Sequence, residues 1–94
     1  MNEYPTEKEL KYIKRFKPGI KNSFKPLIDH IQDIWHWPDY VKWDGDILEL
    51  HTGGWSGNED IIQALENTMF WLLFWKATTR GGHYYFEIPE NRRQ

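Results

Sequence analysis

Ninety-four residues without a single cysteine allow one small hydrophobic core and exclude disulfides, zinc–thiolate centres and a cysteine nucleophile. The longest apolar run, Met69 to Trp75, is far shorter than the ~20 residues that span a bilayer, and the opening Met-Asn-Glu-Tyr-Pro has no apolar signal core, so a cytoplasmic, membrane-free protein is expected. The formal charge of −2 hides an asymmetry: residues 1–25 carry Lys8, Lys11, Lys14, Arg15, Lys17, Lys21 and Lys25 against Glu3, Glu7 and Glu9, while the remainder carries five basic and eleven acidic side chains.

Thr6-x-x-Glu9, just after Pro5, forms a capping box and predicts a first helix reaching Phe16 or Lys17. Leu10, Ile13 and Phe16 make its apolar stripe, with the lysines and Arg15 outside or flanking it. Lys17-Pro-Gly-Ile20 breaks it. A second helix from about Phe24 to Trp35 buries Leu27, Ile28, Ile31, Ile34 and Trp35, and Pro26 places its start near Ser23. Trp37-Pro-Asp is a turn. Tyr40–Trp43 and Asp46–Thr52 flank Asp44-Gly45, the signal of a β-hairpin with a type I′ turn. Ser56, three residues before Glu59, is the expected N-cap of a long central helix running to about Thr79, with Ile61, Ile62, Leu65, Met69 and Leu72 inward. Arg80-Gly-Gly82 stops that helix, His83–Ile88 is a final strand ended by Pro89, and Asn91–Gln94 is expected to fray.

The order α-α-β-β-α-β predicts an α+β fold over residues 1–94, a three-stranded sheet packed on the central helix. If the last strand pairs beside the second, the connection is a right-handed parallel crossover; beside the first, the pairing is antiparallel. A helix of more than twenty residues would hold its ends ~30 Å apart, separating the Gly53–Glu59 loop from the Arg80–His83 turn.

Three glycines within His51–Glu59, entering a helix N-terminus, suit a close backbone approach or an anion. They make Thr52, Gly53, Gly54, Trp55, Ser56, Gly57 and Asn58, with Tyr40 nearby, candidate ligand-binding residues. Trp55 has no apolar partner at Asp60, so it is expected to be available for stacking on a base. The competing interpretation is a strand-to-helix connection whose tryptophan covers the core. Six Trp, five Tyr and five Phe exceed what one small core hides, so some aromatics should reach the surface and meet partners. Phe70, Trp71, Phe74 and Trp75 are either covered by the first two helices or form a surface for self-association. Lys11, Lys14, Arg15, Arg80 and His83 are the candidate partner-binding residues.

Glu49 and His51 share one sheet face, and His83, Tyr85 and Glu87 share one face of the last strand. A carboxylate, an imidazole and a phenol could do acid–base chemistry, although a polar outer sheet face explains them as well. Asp44, Asp46 and Glu49 are the residue types of a nuclease carboxylate set, but His51 stands where its lysine would be. No G-x-S-x-G, Walker A or H-E-x-x-H pattern occurs. His30 and His36 have no spaced partners, and neither a metal site nor a cofactor is expected.

Leu50-His-Thr-Gly-Gly-Trp-Ser-Gly-Asn-Glu59, Phe70-Trp71, Trp75 and Arg80-Gly-Gly-His-Tyr-Tyr-Phe86 together resemble a family of small uncharacterised bacteriophage-encoded proteins. The likeness spans roughly residues 45–88 and leaves the first two helices unmatched. It brings no activity and no catalytic residue. It implies an accessory protein of the host cytoplasm that acts by binding. The expected function is non-enzymatic inhibition of a host or defence protein by direct contact. The alternative is sequestration of a nucleotide or phosphate ligand by the Gly53–Glu59 loop, and the third is a small acid–base enzyme using Glu49, His51 and Tyr85.

Overall fold

The computed structural model describes residues 4–94, and Met1–Glu3, with the acidic charge of Glu3, lie outside them. Helix α1 (Glu7–Arg15) starts at the expected capping box: the Thr6 side chain accepts from Glu9 N, and the Glu9 carboxylate accepts from Thr6 N. Helix α2 spans Lys25–Ile34, with Pro26 in its first turn. A 3-10 turn, Pro38–Tyr40, leads into the hairpin of β1 (Val41–Asp44) and β2 (Ile47–His51). The two-residue loop is Gly45-Asp46, one position later than expected. Only Gly45 has a positive φ there, the mark of a type II′ rather than a type I′ turn.

The expected long central helix does not form. The chain makes α3 (Ser56–Leu65), α4 (Met69–Phe74) and then strand β3 (Trp75–Thr79). The break has a local cause. Asn67 takes a left-handed φ of 68°, which asparagine tolerates better than most residues. Thr68 then caps α4, accepting from Trp71 N and donating to Leu65 O. Arg80–Gly82 is consequently a hairpin turn between β3 and β4 (His83–Glu87), not a helix stop.

The sheet therefore has four strands rather than three, in the order β1-β2-β4-β3, with every neighbouring pair antiparallel. The last strand does lie beside β2, but β3 reverses the chain first, so no parallel crossover exists. One sheet face is core: Leu48, Leu50 and Phe86 meet Phe70, Phe74 and the apolar faces of α1, α2 and α3. The other face carries the alternate residues Lys42, Glu49, His51, His83 and Tyr85 and is only partly shielded.

The C-terminal tail is docked rather than frayed. A second 3-10 turn, Glu90–Arg92, sets Arg92 O to accept from Phe24 N at 2.7 Å, and Arg92 lies over the rings of Phe24 and Phe74. Arg93 pairs with Asp46 and covers Trp43.

Ser56 is not the helix cap. Trp55 occupies that position without capping the helix through its side chain, and the Ser56 hydroxyl donates to Tyr4 Oη at 3.3 Å on the surface. Ser56→Ala is accordingly expected to change stability by less than about 0.5 kcal/mol, the range of surface substitutions, in a thermal melt. A loss near the ~1 kcal/mol of a true cap would contradict this assignment.

Candidate functional site

The two glycine-rich segments, expected at opposite ends of a helix, lie side by side. His51 is directly opposite His83 across the β2–β4 pair, and Thr52 N donates to Gly82 O at 2.9 Å. Without a twenty-residue helix between them, nothing holds them apart. A β-carbon on Gly82 would lie 2.2 Å from Thr52 Oγ1, so only glycine permits this approach.

Within the first segment, most groups are occupied by internal packing. Thr52 is buried, and its carbonyl accepts from Trp55 N and from Asn58 Nδ2. Gly53 lies beneath the rings of Tyr40 and Trp37, and Gly57 beneath Trp55 and Pro5. Gly54 has open space and a φ of +75°. Trp55 stacks with Tyr4 and His36 and tilts against Trp37. The premise that it lacks aromatic or apolar partners is thus corrected: they come from the N-terminal segment and the 3-10 turn, not from position 60. Asn58, fully buried, clamps the backbone of His36 by accepting from its N–H at 2.8 Å and donating to its C=O at 3.0 Å. That clamp holds the corner where Trp37 adopts a φ of 64°, a costly conformation for a bulky residue.

On the outer sheet face, Lys42, Glu49 and Tyr85 stand in one cross-strand row. Next to it, His51 Nδ1 is 2.7 Å from His83 Nδ1, and His51 Nε2 is 3.1 Å from Glu49 Oε1. Tyr85 meets the His51 ring edge-on. Asp39, Tyr40, Lys42, His51, Gly53 and His83 line a depression of about 740 Å³. Glu49, His51 and Tyr85 are therefore brought together, with His83 added by a pairing that only the strand order reveals. Burial, reinforced by Glu66 and Glu59, pushes the phenol of Tyr84 on the opposite face up. Among the described residues, no group of three or more His, Asp or Glu side chains is placed to hold one metal ion.

The basic residues divide. Lys8, Lys11, Arg15 and Lys17 rim a groove of about 660 Å³ whose floor is Tyr12, Phe16 and Pro26. Lys14 instead lines a separate depression with Asp60, Gln63 and Glu66 beside α3. Arg80 is exposed in the β3–β4 turn, away from α1 in sequence and element. Sequence reasoning missed the aromatic floor because Tyr12 and Phe16 fell within a helix whose apolar side was assigned wholly to the core; the i, i+4 spacing of the two rings was the available signal.

Of the four aromatics proposed for self-association, Phe70 and Phe74 are core residues packed on Phe24. Trp71 is half-buried and stacks with the exposed Trp75. The side chains that this segment leaves exposed besides Trp75 are Met69, Leu72 and Leu73, with Leu72 82% accessible. Among the described residues, no helix is long and apolar enough to cross a membrane. Comparison with protein-family models, curated proteins and solved structures gives no match.

Proposed function

We propose that this chain is a binding protein that works by direct contact, and that the groove between α1 and the start of α2 receives an acidic segment of a protein partner. The supporting observation is the combination in one groove of an aromatic floor, Tyr12 and Phe16, with a rim of Lys8, Lys11, Arg15 and Lys17. Tyrosine and phenylalanine supply buried area at contacts, while the cations steer an acidic partner and set its orientation. The remaining chain is acidic, so the molecule presents this groove preferentially to negative surfaces. A long polyanion would meet that acidic remainder, and the sequence pI near 6.0 is far from that of a nucleic-acid-binding domain. The resemblance to phage accessory proteins favours a host or defence factor as the partner.

The test uses a partner recovered by affinity capture from host lysate. Lys11→Glu with Arg15→Glu should slow association about tenfold and flatten its salt dependence, while Lys14→Glu, outside the groove, should change little. Tyr12→Ala should act on dissociation instead. Stability should fall little, because exposed charges contribute about 0–1 kcal/mol each. Equal rates and salt slopes for wild type and the double reversal would refute the groove as the binding surface.

A further inference from the structure

The outer sheet face carries a second, chemically distinct feature. His51 and His83 are cross-strand neighbours whose Nδ1 atoms lie 2.7 Å apart, and the rings meet at 65°. Behind them, Glu49 Oε1 sits 3.1 Å from His51 Nε2. The Glu49 and His51 side chains are only 23% and 17% accessible, so water competes weakly for these bonds.

The chemistry of the partners orders the protons. An ionised carboxylate can only accept, so His51 Nε2 carries the hydrogen. With both rings in their neutral forms, His51 Nδ1 is the acceptor and His83 Nδ1 the donor. One nitrogen of the chain is left with an unshared pair: His83 Nε2. Its near neighbour is the backbone of Gly81, where an added β-carbon would lie 3.2 Å from that nitrogen. His83 also lines the depression beside Tyr40 and Lys42.

We propose that Glu49, His51 and His83 form a relay that holds His83 Nε2 as an unprotonated base, placed to take a proton from a hydroxyl or water of a polar ligand seated in this depression. The proton passes from the ligand oxygen to Nε2, and the bonding pair stays on the oxygen. The resulting imidazolium keeps its Nδ1–H bond to His51, and its charge is balanced at Glu49 through that ring. This is the carboxylate–imidazole logic of acid–base sites, lengthened by one ring. The site is independent of the α1 groove, and its failure would leave the contact reading untouched.

Two measurements on the intact protein test it. Long-range ¹⁵N–¹H NMR at neutral pH should show His51 as the Nε2–H tautomer and His83 as the Nδ1–H tautomer. The second measurement is modification by diethyl pyrocarbonate, followed by mass spectrometry. In that reaction Nε2 attacks a carbonyl carbon, an N–C bond forms, and the C–O bond to ethyl carbonate breaks. His83 should react about tenfold faster than His30 and His36, and His51→Ala should remove that advantage. Glu49→Gln serves if the alanine variant is misfolded, and it should shift the tautomer populations of both rings. A His83 found as the Nε2–H tautomer, or reacting no faster than His30 and His36, overturns the proposal. So does an advantage unchanged in whichever of the two variants keeps the wild-type melt.

Discussion

Asn58→Leu is expected to lower the unfolding free energy by about 3 kcal/mol, from two backbone groups that lose their partner at ~1–3 kcal/mol each before relaxation and a third that loses one of its two donors. The two are His36 N and His36 O, and the third is Thr52 O, which still accepts from Trp55 N. Leucine branches at the same carbon as asparagine and is the larger side chain, so the change removes the hydrogen bonds without opening a cavity. No apolar gain offsets the loss, because the orphaned groups face the substituted side chain itself. The effect should also spread: Asn58 holds the His36–Trp37 corner, and with it the left-handed Trp37 whose ring lies over Gly53. Urea unfolding is the measurement, read as a lower midpoint at constant slope. A loss below about 1 kcal/mol would mean that water replaces the amide at both His36 positions, and that the corner does not depend on it.

That residue shows what could be extracted from sequence and what could not. The first helix was legible because its evidence is local: Thr6 and Glu9 make both bonds of the capping box. The same holds for α2 and for the hairpin, whose turn was displaced by a single residue. Met69–Phe74 is helical as expected, but the break before it and the strand Trp75–Thr79 after it were not legible, because a continuous apolar run has no periodicity to mark where a helix ends. The breakers were present as Asn67 and Thr68, but each is ordinary in a helix surface, and only together do they end one helix and begin another. Everything that depended on that error went with it, including the strand count and the separation of the two glycine segments. The candidate sites divide in the same way. Glu49, His51 and Tyr85 followed from alternation along strands, whereas the His51–His83 pair required knowing which strands are neighbours. For Asn58 the chemistry was right and the target wrong: an amide entering a helix suggested a ligand, and it binds its own chain.

Gly82→Ala is the other large effect, about 3 kcal/mol or more, because two costs coincide there. The φ of +84° is left-handed, which penalises any residue with a β-carbon by about 1 kcal/mol. In addition, the new methyl would lie 2.2 Å from Thr52 Oγ1, a contact that cannot persist. Thr52 has little room to yield: it is buried, its N–H bonds Gly82 O, and its carbonyl serves both Trp55 and Asn58. Gly54→Ala supplies the comparison, since Gly54 has a φ of +75° but nothing within 4 Å; it should show the backbone cost alone, about 1 kcal/mol. Thr52→Ala removes the clashing oxygen, so Gly82→Ala in that background should also fall toward about 1 kcal/mol, a coupling that a double-mutant cycle reads directly. Additive losses would mean that the two segments do not press on one another in solution. Because Gly82 immediately precedes His83, the same cycle followed by the His51 and His83 ring resonances separates simple destabilisation from displacement of the relay. A chain that keeps its fold but loses the short His51–His83 bond would show that the glycine pair is there to bring those two imidazoles into register.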